Sequence, residues 1–182
     1  INISEPLTAF GELRIAELTP LIQITHPYEI NLDLIKNTIA GSGTITYNGT
    51  NRMINVNSGA AASSSGVMES RRLVKYRSGQ GLLIRYTCIY STGVTGNTQY
   101  SGWGDSLDGF FFGYNGTSFG VLQRNSSSGN SFIAQSSWNI DTMLGGGGLS
   151  NPSGQTLDTT KGNVFQIQAQ WLGFGAITFY IE

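Results

Sequence analysis

The chain has 182 residues, 39% of them hydrophobic and only 12% charged, with 25 Gly, 4 Pro and a net charge of −1. That length suits one domain with a sizeable core, and 11% aromatic residues at so low a net charge exclude an intrinsically disordered chain. Ten Lys and Arg against eleven Asp and Glu leave no basic excess for phosphate contacts, so nucleic acid is not an expected partner. No apolar run approaches the roughly 18 residues of a spanning helix, so membrane insertion is not expected. One Cys and one His exclude an internal disulfide and leave no Cys/His pair at metal-ligand spacing, so neither a metal nor a cofactor is expected.

The opening Ile1-Asn2-Ile3 has neither Met nor a signal-peptide pattern, which predicts a processed product or an excerpt. The strand-like end Phe179-Tyr180-Ile181-Glu182 favours the excerpt. Residues 1–40 read as an N-terminal arm with edge strands, since Pro6, Pro20 and Pro27 remove ladder donors. The arm carries Leu7, Phe10, Leu13, Ile15, Leu18, Leu21 and Ile22, more apolar surface than one sandwich edge readily buries. A neighbouring subunit is the expected cover, which makes the chain a homo-oligomer. Within this stretch Glu29–Thr38 fits one or two helical turns, or a strand nearly as well.

Beyond the arm the dominant period is two, and residues 41–182 read as one β-sandwich. Thr44–Tyr47 and Met53–Val56 flank Asn48-Gly49, a pair suited to positive φ in a hairpin turn. Ser58–Ser65 reads as a loop. Leu82, Ile84, Tyr86, Cys88 and Tyr90 line one face of a strand, with Leu73–Tyr76 as its expected hairpin partner. Phe110–Tyr114 and Ser118–Gln123 flank Asn115-Gly116 as a further hairpin. Asn139–Gly162 reads as a long loop centred on Gly145–Gly148, of the kind that is functional or mobile. Phe165, Ile167, Ala169 and Trp171 then alternate with Gln166, Gln168 and Gln170, and a Gly turn leads to Ile177, Phe179 and Ile181. Ten to twelve short strands between Gly/Asn turns predict an all-β, antiparallel sandwich or jelly roll.

Candidate sites are few. Asp105 and Asp108 stand three apart beside Gly109, which fits either a hard-cation or sugar-hydroxyl site, or an Asx turn opening the next strand. Trp103, Tyr100 and Trp138, with Tyr90 and Tyr114, could form an aromatic platform for sugar rings, or simply be core. His26-Pro27-Tyr28 offers a general base or a turn histidine. No strand carries the paired carboxylates of a sandwich glycosidase and no Gly-x-Ser-x-Gly occurs, so no catalytic residue is expected. The amides of Gln166, Gln168 and Gln170 are expected to point away from the core that holds Phe165, Ile167 and Trp171. They would lie on a wet, concave or intersubunit face, because buried amides need partners.

Several strings are more specific than their composition. They are Leu7-Thr8-Ala9-Phe10-Gly11-Glu12-Leu13-Arg14, and Ser70-Arg71-Arg72 leading to Lys75-Tyr76-Arg77-Ser78-Gly79-Gln80-Gly81. Further on come Asp108-Gly109-Phe110-Phe111-Phe112-Gly113-Tyr114-Asn115-Gly116-Thr117-Ser118-Phe119-Gly120, and Lys161–Val164 through Gln170-Trp171-Leu172-Gly173-Phe174-Gly175. In that order they resemble, over essentially the whole chain, a domain of virion structural proteins in large DNA viruses and tailed phages. The resemblance implies a non-enzymatic spike, fibre or capsid-surface component, made in the host cytoplasm and carried on the virion surface. It also implies other virion proteins as partners and favours a trimer. The hairpin from Val164 to Ile181 is more loosely similar to concanavalin A-like jelly rolls. A second reading is a carbohydrate-binding module that takes host surface glycan on its loop aromatics.

Overall fold

The computed structural model describes residues 18–75, 77–170 and 175–182. The fold is all-β and antiparallel, and the described residues divide into two compact units, 18–75 and 77–182. Among the described residues no helix is long and apolar enough to cross a membrane.

In the first unit residues 18–34 contain no strand. Asn31 ends that stretch: its carbonyl accepts from the amides of Leu34 and Ile35, and its side chain accepts from the Asp33 amide. Strand β1 (Ile35–Ala40) follows, so the segment that fitted helix or strand is strand from Ile35 on. Here the β-branched residues Ile35, Thr38 and Ile39 favour the strand over weak helical spacing. β1 pairs with β4 (Ser65–Ser70), from Ile35 opposite Ser70 to Ala40 opposite Ser65.

Between them β2 (Thr44–Asn48) and β3 (Met53–Asn57) form the expected hairpin, closed by residues 49–52. The left-handed residue of that loop is Arg52 (φ 53°), not Asn48 or Gly49. Asn48 instead spends its side-chain oxygen on the amides of Thr50 and Asn51. A Cβ on Gly66 would stand 2.9 Å from the Asn57 carbonyl oxygen, so β4 approaches this hairpin through a glycine. Because β1 and β4 are one ribbon, the strand that ends at Ala40 and the three strands after it share the 18–75 unit.

The second unit is the sandwich. One sheet has the order β11 (Thr178–Ile181), β10 (Asn163–Gln170), β5 (Gly81–Cys88). The other runs β6 (Thr98–Gly104), β7 (Gly109–Asn115), β8 (Ser118–Arg124), β9 (Ser131–Ala134), each paired with the next. Of the expected partner of β5, Leu73–Tyr76, residues 73–75 form no strand and Tyr76 lies outside the described residues. β5 pairs with β10 over eight residues, from Cys88 opposite Asn163 to Gly81 opposite Gln170. That pairing places Ile84 and Tyr86 beside Phe165 and Ile167, burial that a local hairpin would forgo, and Leu73 is left 82% exposed. The β7–β8 hairpin closes through Gly116-Thr117, one residue later than expected, with the positive φ (61°) at Gly116.

Inward-facing residues of both sheets meet in one core of Phe165, Ile167, Phe112, Phe119, Val121 and Tyr90. Phe165 and Ile167 have no exposed surface. Phe112 meets Phe165 with ring centres 4.9 Å apart and Phe179 edge-on at 5.1 Å, the arrangements that ring quadrupoles favour. The expected turn at Leu172-Gly173-Phe174 and the expected core residue Trp171 lie outside the described residues, as do Leu7, Phe10, Leu13 and Ile15 of the arm. Of the remaining arm positions, Leu18 and Leu21 are exposed and Ile22 is half-buried.

Candidate functional site

The aromatic residues do not form one platform; the sandwich distributes them over three places. Tyr90 and Tyr114 belong to the core, where both lie edge-on to Phe119. Trp138 follows a short 3₁₀ turn (Gln135–Ser137) and packs edge-on to Phe112 and Phe119, each with ring centres 6.3 Å away. Its partly buried ring thus packs against the core. Its Nε1 is buried without a hydrogen-bond partner.

Trp103 lies on β6, not in a loop, half-buried and stacked on its cross-strand partner Phe110 with rings 18° from parallel. Tyr100 lies on the opposite face of β6, near Phe111, under the guanidinium of Arg124. Arg124 stands 4.7 Å from the Phe111 ring centre and 5.8 Å from that of Tyr100. Burial raises the Tyr100 phenol above its ordinary value, against the pull of the Arg124 charge.

Asp105 and Asp108 sit where β6 turns into β7, and their carboxylates serve the turn. Asp105 Oδ1 accepts from the amides of Leu107 (2.7 Å) and Asp108 (2.9 Å), and the Asp105 amide donates to the Asp108 carbonyl (2.8 Å). The Asp108 and Leu107 amides hold the Asp105 carboxyl below its ordinary range. Asp108 accepts from the amide and hydroxyl of Ser126, while Arg124 Nη1 donates to the Asp105 carbonyl. This is an Asx turn that also ties β8 to the β6–β7 connection. Among the described residues no three His, Cys, Asp or Glu side chains gather as metal ligands. His26 is half-buried with Nδ1 unpartnered, and burial lowers its pKa.

The glutamines of β10 do point away from the face of Phe165 and Ile167, but they are not wet. Gln166 and Gln168 are each only 6% exposed and Gln170 is half-buried. β10 is the middle strand, so its neighbours on that face come from both sides: Arg85 and Tyr180 flank Gln166, and Leu83 and Thr178 flank Gln168. Burial is tolerated at Gln166 because Arg85 donates to its Oε1 from Nη2 (2.6 Å) and Nε (3.1 Å). Arg85 also pairs with Glu182 at 3.1 Å. Gln170 Oε1 is buried without a partner.

Two groups were not singled out from the sequence. One is a buried polar knot: Tyr90 donates to the Phe112 carbonyl (3.1 Å) and shares a hydrogen bond with the Ser101 hydroxyl, while Tyr86 donates to the Ser101 carbonyl (2.8 Å). Burial pushes both phenols and the Cys88 thiol upward, so all three stay protonated at neutral pH. The alternation of Tyr86, Cys88 and Tyr90 marked this face; Ser101 as its partner had no local signal.

The other is the bracing of the 139–162 loop. Asp141 accepts from the amides of Met143 and Ser153, and the fully buried Asn151 donates to the Gln155 carbonyl. Gln135 Nε2 reaches the carbonyls of Thr142 and Met143, and Leu144 bridges Thr156.

No protein-family model, curated protein or solved structure matches the chain.

Proposed function

We propose that the chain is a non-enzymatic structural module of a virus particle, part of a capsid-surface spike or fibre that contributes to assembly. One observation carries this reading. The polar side chains that suggested chemistry are engaged in holding the fold, while large apolar side chains remain outside it. Asp105, Asp108 and Asp141 are turn and loop acceptors, and Trp138, Tyr90 and Tyr114 are core. Leu32, Leu34, Ile39 and Val67, by contrast, stay exposed. Unspent apolar surface on a neutral, backbone-paired scaffold suits a building block more than a catalyst. The similarity of its Leu7–Arg14, Asp108–Gly120 and Lys161–Gly175 strings to virion proteins supplies the particle.

Carbohydrate attachment, the second reading, is left with Trp103 and Tyr100, which occupy opposite faces of one strand. Antibodies raised against the full chain should decorate purified particles from the source in electron microscopy. Particles whose mass spectra lack the chain would sink the assignment. Saturable glycan binding that disappears in Trp103→Ala would move it to the second reading.

A further inference from the structure

We propose that Asn48-Gly49 is a self-modifying site at which the asparagine loses its amide to the backbone of its neighbour, an inference independent of the function proposed above. The sequence Tyr-Asn-Gly-Thr occurs twice, at residues 47–50 and 114–117, and closes a hairpin each time. The two copies share one intrinsic reactivity, since a glycine after asparagine has no side chain to obstruct its backbone nitrogen. The fold treats them differently.

At Asn48 the reacting groups are ready. Gly49 is exposed, and among the described residues its N–H donates to no acceptor. The Asn48 side-chain oxygen accepts from the amides of Thr50 (3.0 Å) and Asn51 (3.3 Å). These bonds hold the carboxamide against the turn. They also stabilise the negative charge that grows on that oxygen when its carbon is attacked, as oxyanion donors do. At Asn115 the nucleophile is occupied, because the Gly116 N–H donates to the Asn97 carbonyl at 2.9 Å. Asn115 is also paired on both sides, with Thr98 and with Ser118, whereas Asn48 is paired only with Met53. Ring closure needs the asparagine backbone to rotate, and a doubly paired residue resists that opening.

The step balances with water as the only added reactant. Base takes the Gly49 amide proton, and the nitrogen forms a bond to Asn48 Cγ. The Cγ–Nδ2 bond breaks and Nδ2 leaves as ammonia with a proton, which closes a succinimide ring. Water then opens the ring at either carbonyl. Cleavage between Cγ and the Gly49 nitrogen gives aspartate. Cleavage at the main-chain carbonyl gives isoaspartate, whose main chain runs through Cβ. Either product adds a carboxylate at the pair, Asn48 opposite Met53, that closes β2 on β3.

The test is incubation of the folded full chain at neutral to mildly alkaline pH, then digestion and mass measurement of the two peptides over time. The Asn48 peptide should gain the mass of an amide turned acid about tenfold faster than the Asn115 peptide, since freeing the Gly116 N–H costs a hydrogen bond. In urea, where the fold is gone, the two peptides should change at equal rates. Gly49→Ala keeps the hairpin, because Gly49 has no positive φ and its Cβ would meet only Tyr47 Cε1, at 3.8 Å. Its methyl group crowds the attacking nitrogen, so Asn48 should stay intact over the same period while Asn115 changes as before. Equal rates at the two sites of the folded chain overturn the inference, as does a faster Asn115 or an Asn48 that never changes. A difference that persists undiminished in urea overturns it too, since the fold is then not its cause.

Discussion

The two units use similar strands to opposite effect. In 77–182, ten hydrophobic side chains are buried among the described residues, and six of them form one continuous aromatic and aliphatic core. In 18–75 the corresponding number is one. Polar groups follow the same division: the hydroxyl of Tyr90 is sealed inside the sandwich, whereas Tyr47 reaches the Pro27 carbonyl (2.9 Å) in a solvent-exposed contact. Strand content therefore says little about self-sufficiency. What distinguishes the units is whether a second layer lies over the apolar face, and a sandwich supplies that layer from its own chain.

The largest expected effect separates the units directly. Phe165→Ala removes a fully buried ring that meets Tyr86, Tyr90 and Phe112, and should cost about 3–5 kcal/mol. Ile35→Ala should cost about 2 kcal/mol, at the low end for such truncations, because a thinly packed site relaxes around the deletion. Urea unfolding followed by residue-resolved hydrogen exchange distinguishes them. The first variant should deprotect β5–β11, and the second should deprotect only β1–β4. If Ile35→Ala lowers protection in both units equally, the division at residue 76 is not an energetic one.

A smaller effect sharpens the contrast through two tyrosines. Tyr90→Phe removes the buried hydrogen bonds to the Phe112 carbonyl and the Ser101 hydroxyl and should cost about 1–3 kcal/mol, while Tyr47→Phe should cost well under about 1 kcal/mol, water replacing the lost bond. Equal midpoint shifts in thermal unfolding of the two variants would contradict the burial argument. Alkaline pH adds a second readout. Folding raises the Tyr86 and Tyr90 phenols above their ordinary value of 10.0, so the unfolded chain releases these protons first. Stability should hold below about pH 10 and fall above it, less steeply in Tyr90→Phe.

Period-two patterning made the strands legible, and Gly/Asn pairs located both hairpins to within a residue or two. Pairing between distant strands was not legible: nothing within Leu73–Tyr76 or Leu82–Tyr90 says that β5 joins a strand some eighty residues later. The division at residue 76 was hidden for the same reason, since it depends on β1 meeting β4 across the β2–β3 hairpin. Among the candidate sites, the Asp105–Asp108 spacing predicted its Asx turn, a local matter of backbone geometry. The glutamines show the limit. Their alternation fixed which face they occupy, but their burial depends on Arg85, eighty-one positions away in sequence. A strand read alone does not reveal whether it will be central, where amides must be satisfied, or at an edge, where water satisfies them.

The smallest expected effect concerns the turn carboxylates, and it belongs to the 77–182 unit alone. Asp105 is held below its ordinary pKa of 3.8 by the amides of Asp108 and Leu107, and Asp158 by the hydroxyl and amide of Thr160. A carboxylate with a depressed folded pKa stabilises the fold fully above the unfolded value, and that contribution disappears as pH falls through the folded one. Acid should therefore loosen the β6–β7 turn only below about pH 4. Both groups are fully exposed, so solvent screening keeps each contribution small. Asp105→Asn keeps an acceptor for the Leu107 and Asp108 amides but removes the charge. Its melting temperature should lie slightly below the wild type near neutrality and decline less between pH 4 and the acid limit. A variant that declines as steeply as the wild type would show that other carboxylates control the acid limb, and Asp158→Asn is then the comparison that identifies them.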